Sequence, residues 1–160
     1  MKDKDKIKTN VMRLLDKAKI PYEAREYEYS EDDLSGTHAA DVLGLKYEMV
    51  FKTLVLRGDK TGYFVCCIPV DREINLKNAA KISGNKSVEL IHVKELLPLT
   101  GYIRGGCSPI GMKKRFKTYI DASAKAQEKI SISAGQRGVQ VLLSPEVLSD
   151  YTGAEFAELV

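Results

Sequence analysis

The chain has 160 residues, 44% of them hydrophobic, and a formal net charge of +3. That length suits one compact domain over residues 1–160 with a substantial core; the composition excludes a disordered chain, and the weak basic balance permits a polyanionic partner without demanding one. Cys66, Cys67 and Cys107 form no CxxC pair, adjacent Cys66 and Cys67 would point to opposite faces of a strand and make poor disulfide partners, and no HExxH is present, a pattern that speaks against a structural zinc site.

In chain order, the charged start Met1–Lys6 leads into no secretory apolar core, and no stretch approaches the length of a membrane span. The expectation is a soluble, cytoplasmic protein without membrane contact. Ile7, Val11, Leu14, Leu15 and Ala18 share one helical face before Pro21, which predicts a first helix of roughly three turns. Residues 22–29 read as a strand, with Tyr27 and Tyr29 on one face. Thr37 is placed to cap a short helix that Gly44 stops. Residues 49–56 and 63–70 are predicted strands joined by the hairpin turn Arg57–Gly62. Asn75 caps a helix ending at Gly84.

The second half alternates shorter elements. A strand is expected over 88–91, a short helix over 93–97 stopped near Pro98, and a strand over 101–104. Three more strands follow, over 118–122, 129–133 and 139–143. Ser144-Pro145-Glu146 starts a final helix that reaches about Tyr151 and stops at Gly153. Together these elements describe one mixed α/β domain whose hairpins oppose an all-parallel sheet.

Lys52 interrupts an otherwise apolar strand. An unpaired buried ammonium is strongly disfavoured, so Lys52 either reaches solvent or faces a polar cavity. Downstream lies Gly105-Gly106-Cys107-Ser108-Pro109, and further on Ser133-Ala134-Gly135-Gln136-Arg137-Gly138. The two loops could present backbone N–H groups and a hydroxyl to polarise a carbonyl. The sequence carries no signature of conventional catalysis, which leaves open only a triad assembled in space. His38 and His92 accompany no nucleophile signature, Pro109 lacks the N–H that an elbow serine at Ser108 would need, and Cys107 has no identifiable activating base. The basic run Lys113-Lys114-Arg115-Phe116-Lys117 is either a solvated face or a contact for a phosphate backbone.

Phe51-Lys52-Thr53-Leu54, Asn75–Ala80, Gly101–Gly111 and Ser133–Gly138 resemble, in this order, motifs of the YbaK/EbsC family, the free-standing relatives of the editing domain inserted in bacterial prolyl-tRNA synthetases. The resemblance runs from the first helix to Gly153-Ala154-Glu155-Phe156. It implies a single mixed, largely antiparallel, barrel-like sheet with surrounding helices, and an enzyme that deacylates mischarged aminoacyl-tRNA, above all Cys-tRNA(Pro). A cysteine-sized amino acid slips past a proline pocket because small side-chain differences give only about 10–200-fold discrimination, so a second sieve is needed.

The resemblance further implies that Lys52, Gly105 and Ser108 act by positioning and electrostatics near the ester or terminal adenosine. It places Tyr27, Thr53, Gly106, Pro109, Ser133, Gly135 and Arg137 in substrate binding. The substrate's own thiol would attack its ester, so neither a protein nucleophile, a metal nor a cofactor is expected. Mischarged tRNA(Pro) is the implied partner, with prolyl-tRNA synthetase a second. Two positions depart from the family pattern: Cys107 where an aliphatic residue is common, and Gln136 where a basic residue is common. A deacylase for alanine or another small amino acid, and a non-catalytic module binding tRNA or synthetase, are the alternatives.

Overall fold

The computed structural model describes residues 7–160, so the charged start Met1–Lys6 lies outside the described residues. Helix α1 (Asn10–Lys17) is eight residues long, shorter than the periodicity predicts. Thr9 accepts the Met12 N–H on its hydroxyl at 3.2 Å and so starts the helix after Ile7, which is exposed. Strand β1 (Glu23–Glu26) leads to α2 (Gly36–Leu43), which Ser35 rather than Thr37 caps by accepting the His38 N–H at 3.3 Å. A 3₁₀ turn, Tyr47–Met49, then delivers the chain to the hairpin of β2 (Phe51–Gly58) and β3 (Gly62–Pro69). Helix α3 (Leu76–Ser83) begins at Asn75, whose side chain accepts the Asn78 N–H at 3.1 Å, and ends at left-handed Gly84.

Strand β4 (Val88–Leu90) and helix α4 (Val93–Thr100) follow. Pro98 does not stop α4. Its missing N–H forfeits one bond, but Gly101 donates to the Leu97 carbonyl at 2.9 Å and Thr100 Oγ1 to the Leu96 carbonyl at 2.7 Å, which completes the last turn. Residues 101–104 form no strand. They fold back on themselves, with Tyr102 N–H donating to Thr100 Oγ1 at 3.0 Å and the Tyr102 hydroxyl donating to the Ile110 carbonyl. The chain continues through β5 (Thr118–Asp121), a 3₁₀ segment (Ala122–Ala126), β6 (Ile130–Ser133), β7 (Val139–Leu143), α5 (Pro145–Thr152) and β8 (Glu155–Ala157).

The strands form two sheets, in place of the single barrel-like sheet expected. One has the order β1-β7-β6 and is antiparallel; the other has the order β4-β2-β3-β5-β8, antiparallel up to β3 and parallel from β3 to β8. A single isolated bridge, Val50 to Ser131, links β2 to β6 among the described residues. Strand β1 is shorter than residues 22–29 because its partner ends: Tyr27 N–H reaches the Gly138 carbonyl at 2.9 Å, and at Gly138 the chain turns with φ +83°. Three-residue β8 escapes sequence detection because its pairing, Ile120 with Phe156, is non-local.

The main core fills the space between the sheets. Val11, Met12 and Leu15 of α1 meet Phe51, Val55, Val65, Cys67, Ile120, Ile132 and Val141 there. Leu56, Phe64, Cys66, Ile68 and Leu159 pack on the opposite face of the larger sheet. Cys66 and Cys67 thus lie in different clusters, as strand alternation requires. Each such buried aliphatic or aromatic side chain stabilises the fold by about 1.5–3 kcal/mol relative to exposure.

Candidate functional site

Beyond the Val50–Ser131 bridge the pairing of β2 with β6 does not continue as a ladder, and a cavity of about 400 Å³ lies beside the two strands. Phe51–Val55 of β2 line one side, and Ser133 of β6, Gln140 of β7 and Tyr27 line another. Ala39, Val70 and Leu96 add apolar wall, and Gly105 and Cys107 close it. Lys52 and Arg104 bring positive charge, and no carboxylate lines the cavity among the described residues. The N-terminal ends of α2, at Ser35-Gly36, and of α4, at His92-Val93, also border it, so the positive poles of two helices add to the same field.

Lys52 is half-buried, and this desolvation draws its pKa below the ordinary lysine value; Glu73 and Asp71 pull the other way and support the cation. Burial pushes the Cys107 thiol up to about 12, and the Cys67 thiol up to about 12, so both are neutral thiols near pH 7. Burial also raises the Tyr27 phenol. Among the described residues no serine or cysteine side chain is hydrogen-bonded to a histidine side chain.

The structure gathers five of the expected site residues into this cavity: Lys52, Thr53, Tyr27, Gly105 and Ser133. Five others lie around it. Gly106 stands behind the wall, where a Cβ would come within 3.0 Å of Gln136 Cα and 3.2 Å of the Arg137 nitrogen; only glycine lets the two loops touch backbone to backbone. Arg137 ties the same loops together by donating from Nε to the Arg104 carbonyl at 2.8 Å. Ser133 Oγ accepts the Gly135 N–H at 3.2 Å, and Gly135 and Arg137 border a separate depression beside Tyr102.

Ser108 is fully buried, and its hydroxyl accepts the Ile110 N–H at 3.2 Å in place of facing the cavity. Pro109 borders another groove, of about 410 Å³, with Lys113, Lys114 and Arg115 of the basic run. Gln140, Arg104 and His92 are lining residues that sequence reasoning did not select. Gln140 carried a usable signal, being a polar residue in the apolar run Val139–Leu143, the kind of interruption that marked Lys52. It is buried, and its side-chain oxygen accepts the Ser131 hydroxyl at 2.8 Å.

Positive charge, two helix N-termini and a glycine-bearing loop thus converge on one cavity. The chain belongs to the aminoacyl-tRNA editing domain family, whose model matches residues 35–151. It is 49% identical, over 99% of its own length and 96% of the relative's, to a protein of Enterococcus faecalis provisionally named Cys-tRNA(Pro)/Cys-tRNA(Cys) deacylase EbsC. It is 24% identical to part of the proline–tRNA ligase of Fervidobacterium nodosum, over 89% of this chain and 26% of the ligase. A crystal structure provisionally described as a trans-editing enzyme for prolyl-tRNA synthetase superposes with a TM-score of 0.79 at 21% identity, covering 96% of this chain and 98% of that one. A hypothetical protein superposes with a TM-score of 0.84 at 23% identity, covering 93% and 97%. These two structural likenesses concern the fold.

Proposed function

We propose that this protein is a trans-acting aminoacyl-tRNA deacylase that clears cysteine from mischarged tRNA(Pro), with its whole described chain acting as one editing domain. The observation that carries this reading is the cavity itself: Lys52, Thr53, Tyr27, Gly105 and Ser133 converge on a space large enough for an aminoacyl ester. The 49% identity to the Enterococcus faecalis protein supports cysteine as the amino acid.

In the proposed reaction the substrate's thiol loses its proton and attacks its own ester carbonyl. A C–S bond forms, the C–O bond to the terminal ribose breaks, and the ribose oxygen takes up a proton as the tRNA leaves. The product is a cyclic thiolactone that water opens to cysteine. The protein holds thiol and carbonyl together, excludes water with Ala39, Val70 and Leu96, and stabilises the oxyanion with the field of Lys52 and the helix N-termini. Lys52 also suits the phosphate of the terminal nucleotide. Association with prolyl-tRNA synthetase would raise the effective concentration of mischarged ends at the cavity.

The test is a panel of Cys-, Ser-, Ala- and Pro-tRNA(Pro) offered to the purified protein. Rapid release of cysteine with Ser-tRNA(Pro) largely intact is the expected result, since a hydroxyl is a poorer internal nucleophile. Equal hydrolysis of the cysteine and serine esters overturns the thiol-assisted step, and release of alanine alone moves the assignment to an alanine-specific deacylase.

A further inference from the structure

The cavity is lined by residues from both faces of β2. Phe51 and Val55 belong to the core between the sheets and Thr53 shares their face, whereas Leu54 packs with the opposite cluster and Lys52 shares its face. One cavity can touch both faces only by reaching over the edge of the strand. That edge carries no paired strand at its middle. Strand β4 pairs with β2 only over Leu56–Gly58, and the bridge to β6 lies at Val50.

The direction of the backbone groups follows from the ladder. Val70 N–H donates to the Val50 carbonyl at 2.9 Å, which makes Val50 and Val70 a hydrogen-bonded pair and turns the even-numbered residues of β2 towards β3. The odd-numbered residues therefore point their N–H and C=O to the other edge. Ile91 N–H confirms this by donating to the Val55 carbonyl at 3.2 Å, and Pro69, without an N–H, sits opposite Phe51, where the ladder needs none. Thr53 thus directs its N–H and C=O over this edge at a position where no strand is paired with it, since β4 pairs only from Leu56 and the bridge to β6 lies at Val50. Edge groups of this kind, in a half-buried position, are satisfied by water or by a ligand that brings a matching donor and acceptor.

We propose that the backbone of Thr53 binds the aminoacyl group as if it were one residue of an added antiparallel strand. The Thr53 carbonyl accepts from the α-ammonium, and the Thr53 N–H donates to the acyl carbonyl. An α-amino acyl ester carries this donor and acceptor on adjacent carbons, as a residue in a hydrogen-bonded antiparallel pair does. The absence of any lining carboxylate is then explained, because the α-ammonium is met by a backbone carbonyl. The donated N–H also polarises the carbonyl that is cleaved, adding to the field of Lys52. The proposal deepens the deacylase reading and rests on it for the identity of the ligand.

The experiment uses 3′-cysteinylamino-3′-deoxyadenosine, an uncleavable amide with both groups, and its counterpart lacking the α-amine. Binding of each is measured by calorimetry to the wild-type chain, Thr53→Val and Thr53→Pro. Valine keeps the backbone N–H and proline removes it, and proline is tolerated on a strand edge where no ladder bond is lost. The expected result is binding at least about tenfold weaker to Thr53→Pro than to Thr53→Val, about 1.4 kcal/mol, and a similar loss for the analogue without its amine. Equal binding to the two variants, or to the two analogues, overturns the proposal. Should Thr53→Pro fail to fold, the ¹⁵N–¹H signal of Thr53 in the wild-type chain decides: a downfield proton shift on saturation supports the edge, and an unmoved signal overturns it. Deacylation of Cys-tRNA(Pro) by the wild-type chain is assayed in parallel. Binding through Thr53 without deacylation leaves the edge standing and removes the deacylase reading; deacylation without engagement of Thr53 does the reverse.

Discussion

Val50 pairs in parallel with Ser131, and this one bridge sets where the two sheets part and where the cavity begins. Residues two or three places further along each strand, Lys52 and Thr53 on β2 and Ser133 on β6, line a cavity where a continuous barrel wall would have carried ladder hydrogen bonds. Five of the expected site residues therefore meet where sheet pairing ends.

Lys52→Met should lower kcat/KM for Cys-tRNA(Pro) by about a hundredfold or more, the scale of removing one preorganised electrostatic group. It should also raise Tm at pH 7. Burial lowers the folded-state pKa of Lys52 below 10.5, so the charged form opposes folding below the folded pKa. That penalty fades as pH rises through the folded pKa towards 10.5, and the Tm difference between variant and wild type should shrink over the same window. Thermal melts at several pH values measure it; a constant difference would contradict the desolvated cation.

Cys107 should resist alkylation. With its thiol pushed up to about 12, iodoacetamide at pH 8 should label it far more slowly than an exposed cysteine, and Cys107→Ala should keep deacylation within about tenfold of wild type. Mass spectrometry of labelling times checks the first. Loss of all turnover in Cys107→Ala would restore a protein nucleophile.

Ser108→Ala should act on stability first. Removing the hydroxyl leaves the buried Ile110 N–H without its acceptor, at a cost of about 1–3 kcal/mol. Denaturant unfolding should show this shift, and kcat/KM per folded molecule should fall less than in Lys52→Met.

Gly138→Ala should destabilise the chain by about 1–3 kcal/mol, because φ is +83° there and the new Cβ would lie 2.9 Å from the Tyr27 carbonyl. Since Tyr27 borders the cavity, KM for Cys-tRNA(Pro) should rise as well. Unfolding curves and steady-state kinetics on the same preparation test both.

Much of the architecture was legible in local chemistry. Asn75 and Ser144 cap α3 and α5 as their side chains predict, and Gly44, Gly84 and Gly153 end their helices in the left-handed conformation. The β2–β3 hairpin was visible in its apolar runs and turn. What local pattern could not supply was non-local pairing. The three-residue β8 and the division into two sheets depend on partners distant in sequence, while residues 101–104 turn back through side-chain bonds to nearby Thr100 and Ile110 that alternation of residue types does not reveal.

The same boundary runs through the site. Lys52 announced itself as a charge in an apolar strand, and the glycine loops as places where backbone could approach closely, because residue type carries that information directly. Whether Ser108 faced a ligand or its own turn, and that Gln140 would share a cavity with Tyr27, were decided by packing. Sequence determined which residues could hold and polarise an acyl group. Only the tertiary structure decided which of them meet, because a strand's edge becomes a binding surface when its neighbour turns away, and that depends on contacts between segments about 80 residues apart.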